Sequence, residues 1–209
     1  MAWAVRGRSS AVFGPSVWRG PRDRRAIALT FDDGPGESTP RVLELLDRHG
    51  AHATFFQCGC CVERFPGIAR AVLEAGHEIG NHGYSHARLY LRTARFIFRE
   101  LSTAQRAIQE TVGVEPRLFR APYGVRWFGM REAQRRLNLL GVMWTCIARD
   151  WRLPGPRIAS RLLAAAQNGA IFCLHDGGDA GPALEALEIA LPRLKEQGYD
   201  LVTVGELLW

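Results

Sequence analysis

The stretch Thr30-Phe31-Asp32-Asp33-Gly34-Pro35 places two adjacent carboxylates directly after a short apolar run at residues 26–29. The run predicts a buried strand, and the Gly-Pro pair that follows the carboxylates predicts a loop. Adjacent side chains at a strand end point in different directions, so one carboxylate could hold a metal ion while the other faces a substrate. An isolated Asp-Gly pair more often marks an ordinary turn, and the rest of the chain has to distinguish these two interpretations.

Apolar runs and amphipathic helical patterns alternate along the rest of the chain, without a linker, a low-complexity segment or an internal repeat. This alternation predicts a parallel α/β sheet or barrel of about seven strands. The predicted strands lie near residues 26–29, 53–56, 77–81, 118–120, 142–144, 170–174 and 201–203. The predicted helices lie near residues 39–50, 65–76, 93–112, 128–138, 157–167 and 182–197.

Polar side chains cluster where five of these strands end. They are Asp32 and Asp33 after the first strand, His82 and His86 after the third, Arg120 at the end of the fourth, Asp150 after the fifth, and His175 and Asp176 after the sixth. The carboxyl ends of parallel strands lie on one side of such folds, and the working residues lie there too. The clusters therefore predict one functional site.

Length and composition predict a single domain. The chain has 209 residues, of which 47% are hydrophobic and 23% are charged, an ordinary globular composition. No apolar run approaches the ~18 residues of a membrane span, and the N-terminus lacks the apolar stretch of a signal peptide. These features, together with cysteines that show no pairing pattern, predict a cytoplasmic protein.

Positive charge is concentrated at the N-terminus. The first 25 residues carry a net charge of +5, out of +6 for the whole chain. A nearly neutral body argues against a nucleic-acid-binding face, whereas a basic arm could contact an anionic membrane surface. We therefore expect a solvated, partly disordered lead-in at residues 1–24 and a domain at residues 25–209.

The five cysteines do not predict a disulfide framework, because their number is odd and their spacing is unpaired. Cys58 and Cys61 form a C-x-x-C pair, which is typical of a redox pair or of half a zinc site, but no second pair completes a zinc ribbon. Their apolar neighbours favour small buried residues instead. Unpaired thiols are consistent with a reducing compartment.

His82 and His86 would lie on one face if their segment formed a helical turn. A carboxylate from another strand end, either Asp32 or Asp33, would complete a two-histidine, one-carboxylate set. Zinc hydrolases use such ligands, and non-haem iron oxygenases use a related triad. The other carboxylate would remain free as a general base.

Five motifs occur in one order: residues 30–35, His82-Gly-Tyr-Ser-His86, Arg120-Ala-Pro-Tyr-Gly124, Asp150-Trp151 and Leu174-His175. In these motifs the chain resembles the polysaccharide deacetylase family, also called the NodB homology domain or carbohydrate esterase family 4, over about residues 24–209. The resemblance implies a distorted (β/α) barrel with fewer than eight strands and a divalent metal, usually Zn²⁺. It also implies hydrolysis of an N-acetyl group, or sometimes an O-acetyl group, on the amino sugar of an oligosaccharide, a polysaccharide or a lipid-linked saccharide.

The resemblance assigns the metal ligands and the base. It implies that Asp33, His82 and His86 bind the metal. Asp32 would be the general base, oriented by Arg120, whose guanidinium is a fixed fork of donors.

The remaining motifs imply the acid and the substrate contacts. His175 would protonate the leaving amine, and Asp150 would hold this imidazole and favour its charged form. The Tyr123 backbone N–H would stabilise the oxyanion. Trp151 and Leu174 would line the pocket for the acetyl methyl group.

Three alternatives stay open at this point: an amidohydrolase of a small non-sugar amide, a catalytically weak carbohydrate-binding member of the fold, and a redox protein that uses Cys58 and Cys61. Two departures from the family pattern also matter. Gly83 replaces the usual Ser or Thr after the first histidine, which questions the rigidity of that loop. Ile147 replaces an acidic residue that family members often carry three positions before Asp150, which questions a substrate contact.

Overall fold

The structure, a computed structural model, describes residues 2–209. Within these residues nine strands form one parallel sheet, and nine α-helices connect or flank them. The strands are β1 Ser16–Val17, β2 Ala26–Asp32, β3 Ala53–Gln57, β4 Glu78–Asn81, β5 Leu118–Phe119, β6 Leu140–Val142, β7 Cys146–Ile147, β8 Ala170–His175 and β9 Asp200–Val202. The helices are α1 Ala2–Arg6, α2 Thr39–Arg48, α3 Gly59–Arg64, α4 Pro66–Glu74, α5 Ala94–Val112, α6 Met130–Arg136, α7 Gly155–Ala164, α8 Gly181–Glu196 and α9 Val204–Leu208.

The sheet runs in the order β1-β6-β5-β4-β3-β2-β8-β7, and β9 pairs with the first half of β2. Every strand pair is parallel. In the described part of the chain β1 and β7, at the two ends of this order, do not pair with each other, so the barrel is open and distorted. This architecture confirms the predicted α/β barrel. The two strands beyond the predicted seven are the two-residue strands β1 and β7.

The central strand β2 is buried along its whole length, because both faces of the sheet are covered. Residues Ile27, Leu29 and Phe31 point to the outer face and belong to the large core between the sheet and the helices. Ala26 and Ala28 point to the inner face and pack in a smaller cluster. By the same alternation Thr30 and Asp32 lie on the inner face, so the strand directs its last side chain into the barrel mouth.

Most predicted elements are present with bounds that shift by a few residues, but the short ones differ. The strand expected at residues 142–144 lies at Leu140–Val142, and β7 follows at Cys146–Ile147. Helix α3 at Gly59–Arg64 was not predicted; it begins at the C-x-x-C segment. The predicted closing turn is the helix α9, whose first turn is held by a reciprocal capping box between Thr203 and Glu206.

The N-terminal segment packs against the domain, and the expectation of a solvated, partly disordered lead-in is wrong. Val5 and Phe13 are buried together with Val125, and the buried Arg126 guanidinium donates to the carbonyl oxygens of Gly7 and Ser10. The apolar residues Val5 and Phe13, which lie between the arginines, attach the segment to the domain. The prediction considered only the charges of this segment and therefore missed them. The boundary at residue 24 and the contact with a membrane surface stay predictions.

No helix in the described residues 2–209 is both long and apolar enough to cross a membrane.

Candidate active site

A cavity of about 610 Å³ opens at the carboxyl ends of the strands. Eight residues predicted for the site line it: Asp32, Asp33, His82, His86, Tyr123, Asp150, Trp151 and His175. Arg120 lies beneath it, and Leu174 lies elsewhere. The strand ends therefore meet as the polar clusters predicted.

The chain separates the two adjacent carboxylates at the end of β2. Asp32 is the last residue of the strand and is 4% exposed, whereas Asp33 has a left-handed backbone with φ of 73°. This turn directs the Asp33 carboxylate toward two histidines and leaves Asp32 beside Arg120. The two groups therefore occupy different chemical environments although they are neighbours in sequence.

Asp33, His82 and His86 form a set that could hold a metal ion. Oδ1 of Asp33 lies 3.2 Å from Nε2 of His82 and 3.0 Å from Nε2 of His86. Ligand atoms in a tetrahedral zinc site with bonds of about 2.0–2.1 Å are separated by about 3.3 Å. Burial raises the pKa of Asp33, but its contacts with the two imidazoles outweigh burial and lower the pKa below the usual range, so Asp33 is a carboxylate.

The hydrogen bond of His82 supports the same interpretation. Its Nδ1 lies 2.8 Å from the carbonyl oxygen of Arg120 and has to be the donor, since a carbonyl only accepts. In the neutral imidazole the lone pair on Nε2 then points at Oδ1 of Asp33, a buried oxygen with no hydrogen-bond donor in the described residues. A cation between the two atoms would satisfy both lone pairs, and the donor set fits Zn²⁺.

The segment that carries both histidines is a loop, so the two imidazoles come together without the helical turn that was considered for this pair. Gly83 and His86 have left-handed backbones, with φ of 77° and 55°. Gly83 donates to Oδ1 of Asn81, and Ser85 donates through its N–H and its hydroxyl to Glu100. The loop is therefore well anchored, and glycine at position 83 suits a conformation that Ser or Thr would adopt only with strain.

Arg120 is fully buried under the cavity. Its Nη1 donates to Oδ1 of Asp32 at 2.7 Å and to Oγ1 of Thr30 at 2.6 Å. Its other nitrogens donate to the carbonyl oxygens of Val142 and Met143. The guanidinium also stacks over the Phe56 ring at 4.2 Å. These contacts fix Oδ1 of Asp32, whereas its Oδ2 is not bound by Arg120 and, among the described residues, accepts only a 3.5 Å hydrogen bond from the Cys173 thiol.

His175 and Asp150 form a pair on the side of the cavity opposite the two histidines of the β4 loop. Nδ1 of His175 lies 2.8 Å from Oδ1 of Asp150, and the backbone N–H of His175 donates to the other carboxylate oxygen at 2.7 Å. Burial lowers the pKa of His175, but the hydrogen bond to Asp150 and the nearby carboxylates outweigh burial and raise it to about 9. The imidazole is thus prepared to carry and donate a proton.

Exposed aromatic rings form the rim of the cavity. Trp151 is 64% exposed and meets the His175 ring edge-on at 5.0 Å between centroids. Tyr123 is 53% exposed, packs 4.6 Å from the His86 ring and lies under the Arg88 guanidinium. Such exposed rings beside a polar cleft are surfaces on which the apolar face of a sugar can pack.

Leu174 does not line the cavity, contrary to the prediction. It is fully buried in the core between the sheet and the helices, on the outer face of β8. Because side chains alternate along a strand, its neighbours Cys173 and His175 face the cavity instead. Because residues two apart in a strand lie on the same face, the position of His175 would have identified Cys173 as a cavity residue from the sequence alone.

Several cavity residues were missed at the sequence level. Arg6 reaches the cavity from α1, and Ile147, Trp144 and Asp179 also line it. No local signal marks Arg6, because its position depends on how the N-terminal segment packs. Ile147 lies where family members often have an acid, and it gives the cavity an apolar wall there.

The family model described as polysaccharide deacetylase matches residues 19–142. The chain belongs to the polysaccharide deacetylase family. It is 38% identical over 197 residues to a peptidoglycan-N-acetylglucosamine deacetylase of Bacillus cereus, covering 92% of each protein. It is 36% identical over 200 residues to the peptidoglycan-N-acetylglucosamine deacetylase PgdA of Listeria monocytogenes. In that comparison 95% of the chain matches, but the match spans only 42% of the length of PgdA.

Solved structures of polysaccharide deacetylases have the same fold. The Bc1960 peptidoglycan N-acetylglucosamine deacetylase superimposes with a TM-score of 0.89 at 30% identity, with 92% of each chain covered. A Bacillus anthracis protein, BA3943, superimposes with a TM-score of 0.86 at 29% identity, covering 93% of this chain and 69% of BA3943, and is described as a CE4 family pseudoenzyme. Because the fold also occurs in a pseudoenzyme, activity has to be argued from the residues of this chain.

Proposed function

We propose that this protein is a metal-dependent hydrolase that removes the N-acetyl group from N-acetylglucosamine units of an oligosaccharide or polysaccharide and releases acetate. The observation that carries the proposal is the separation of the two adjacent carboxylates. Asp33 faces two histidines, while Asp32 is held by Arg120 through one oxygen only and lines the same cavity. A hydrolase needs these two environments, one for a cation and one for a base.

Asp33, His82 and His86 would hold the cation, and their nitrogen and oxygen donors favour Zn²⁺. A divalent cation bound there supplies Lewis acidity that polarises the acetyl carbonyl and acidifies a water molecule. The three protein ligands leave positions open, which is typical of catalytic rather than structural zinc sites.

Asp32 and His175 carry out the proton transfers. Asp32 removes a proton from the attacking water through its Oδ2, while Arg120 keeps Oδ1 in place. His175 then gives a proton to the nitrogen of the sugar as the C–N bond breaks, so that the leaving group is a neutral amine. Asp150 keeps the imidazole protonated and oriented for this step. The N–H of Tyr123 would donate to the developing oxyanion.

The saccharide class is supported by the rim and by the named relatives. Trp151 and Tyr123 expose large ring faces beside the cavity, which suits an extended sugar chain better than a small amide enclosed on all sides. The two relatives reported above are named for N-acetylglucosamine of peptidoglycan. We therefore propose peptidoglycan-type glycan as the first substrate to test, with chitin oligomers as the neutral comparison.

Release of acetate tests the proposal. Acetate is measured from N-acetylglucosamine oligomers and from peptidoglycan, after chelation and again after Zn²⁺ is added back, with bound metal determined by elemental analysis. We expect metal-dependent release. Asp32→Asn should retain the metal and lose about 10²–10⁴-fold in turnover, the usual contribution of a general base. Asp33→Asn should lose the metal as well.

Two outcomes would contradict the proposal in different ways. Wild-type protein that binds zinc but releases no acetate from any saccharide would favour the small-amide hydrolase or the carbohydrate-binding alternative. Release that persists after complete chelation would exclude the metal-dependent mechanism. Activity abolished by alkylation of the thiols, with the metal still bound, would point instead to chemistry at Cys58 and Cys61.

A further inference from the structure

A second set of metal-binding side chains lies in the same cavity, beside the Asp33–His82–His86 set. A carboxylate oxygen of Asp32, Sγ of Cys173 and a ring nitrogen of His175 all lie within 4.8 Å of one another. We infer that these three side chains form a second, inhibitory site for a soft divalent cation such as Zn²⁺. The binding is independent of the proposed function, whereas the inhibition rests on it.

The spacing of the donor atoms suits a zinc ion. Sγ of Cys173 lies 3.5 Å from Oδ2 of Asp32. Tetrahedral zinc with a Zn–S bond of about 2.3 Å and a Zn–O bond of about 2.0 Å places the two ligand atoms about 3.5 Å apart. No rearrangement of the strands β2 and β8 is therefore needed to bring these two ligands to one ion.

The other two ligands are oriented in advance by their neighbours. Arg120 holds Oδ1 of Asp32, which leaves Oδ2 toward Cys173. Asp150 engages Nδ1 of His175, which leaves Nε2 as the free ring nitrogen. A carboxylate behind a histidine is the arrangement that fixes the tautomer and raises the basicity of zinc-bound imidazoles. The same contacts that prepare the acid and the base thus prepare two metal ligands.

The thiol decides which cations this site takes. Thiolate ligands select Zn²⁺ and other soft cations over Mg²⁺. Cys173 is buried at the wall of the cavity, and burial raises the pKa of its thiol, so the sulfur is protonated before an ion arrives. The cation replaces this proton and also the proton on Nε2 of His175, whose pKa is raised to about 9, and both protons pass to solvent. One thiolate, one carboxylate and one neutral imidazole then face the ion.

Occupation of this site would stop the proposed reaction. The ion would engage Oδ2 of Asp32, the oxygen that accepts the proton from water, and the His175 nitrogen that donates to the leaving amine. Zinc would therefore activate the enzyme through the first site and inhibit it through the second. In the alternative, Cys173 only donates a hydrogen bond to Asp32 and binds no ion.

A cobalt titration tests the binding without any substrate. Co²⁺ bound to a thiolate gives a strong charge-transfer absorption in the near ultraviolet, and the first site contains no sulfur. We expect this absorption to develop in the wild type only after the first site is filled. In Cys173→Ala this absorption should be absent, and the affinity of the second site for Co²⁺ should fall by at least about 100-fold. Loss of a residue that only supports a metal ligand already lowers affinity by up to about 100-fold, and loss of a ligand should cost at least as much.

Matched cysteine variants make the titration decisive. Cys61→Ala removes a thiol of the cluster on α3, where Cys58, Cys60 and Cys61 also lie close together, and should keep the absorption. Cys173→Ser, which retains the size of the side chain, should lose it, and thermal unfolding of the metal-free variants checks that both fold. Absorption that persists without Cys173 and disappears without Cys61 would overturn the inference, as would a wild type that binds one ion only.

Acetate release supplies the second readout. The ratio of activity in excess zinc to activity with one zinc bound should be low in the wild type and near one in Cys173→Ala, while excess Mg²⁺ should inhibit neither. Equal ratios in the two proteins would exclude an inhibitory role for Cys173. A cobalt signal that depends on Cys173 in a protein without any acetate release would leave the second site in place and would reject the proposed function instead.

Discussion

Replacement of Arg120 by Met should damage both stability and turnover, because one buried guanidinium supports the base and the inner wall of the barrel. The side chain is 1% exposed and donates to a carboxylate, a hydroxyl and two backbone carbonyls. Met retains the length and the contact with Phe56 but offers no donor. Asp32, itself 4% exposed, would then be a buried charge without its partner.

The size of the effect follows from these contacts. Removal of one partner of a buried ion pair costs about 3–5 kcal/mol. For a domain of this length each kcal/mol lowers the melting temperature by about 2–4 °C, so the expected decrease is about 6–20 °C. Turnover should fall by about 10²–10⁴-fold, because a general base that is no longer oriented loses most of its contribution. Bound zinc should remain, since Arg120 donates no side-chain bond to Asp33, His82 or His86.

Thermal unfolding, acetate release and metal content are compared with Arg126→Met as the control. Arg126 is also a buried arginine, but it donates to the carbonyl oxygens of Gly7 and Ser10, away from the carboxylates. We expect this control to lose stability and keep its turnover. An Arg120→Met variant that melts with the wild type, or whose turnover falls no further than that of Arg126→Met, would contradict this prediction.

Two further predictions concern the edges of the site. Because the pKa of His175 is raised to about 9, its pairing with Asp150 stabilises the fold fully below the ordinary histidine pKa of about 6.5, and this stability is lost as the pH rises through 9. In urea unfolding of the metal-free protein, the free energy of unfolding of Asp150→Asn should lie furthest below that of the wild type at low pH. This difference should decrease as the pH rises from about 6.5 to about 9. A difference that is independent of pH, or that Asp179→Asn also shows, would contradict this prediction. Arg6 lines the cavity, so Arg6→Ala should raise the KM for a carboxylate-bearing oligosaccharide by about two- to five-fold, as for an exposed ion pair, while the KM for a neutral chitin oligomer stays unchanged.

Most strand ends could be predicted from the sequence because most catalytic motifs follow a short apolar run, but Asp150 follows β7 and not the strand expected at residues 142–144. Asp32 and His175 lie at the ends of β2 and β8 in direct register, which follows once both runs are parallel neighbours. Leu174 was misplaced because the motif was taken as a unit, although strand alternation sends adjacent residues to opposite faces. The same rule would have found Cys173.

Loop conformation could not be predicted in the same way. Asp33, His86 and Tyr123 all have left-handed backbones, a conformation that non-glycine residues adopt only at some cost. Nothing in their local sequence requires it; the contacts of the folded loops do. The packing of residues 2–24 was missed for a related reason, since its contacts with Val125 and Arg126 are distant in sequence.

Strand β1 determines where a fragment of this protein can begin and remain soluble. Its neighbours Gly141 and Met143 donate their backbone N–H groups to Pro15 and Val17. A fragment that begins at residue 25, the boundary that charge alone indicates, would lack these partners. The edge of β6 would then have unpaired backbone N–H groups, and Arg126 would lose the carbonyl oxygens of Gly7 and Ser10. Exposed edges of this kind recruit strands from other molecules. Such a fragment should therefore aggregate into inclusion bodies. The short strand β1 thus prevents self-association by covering the edge of β6.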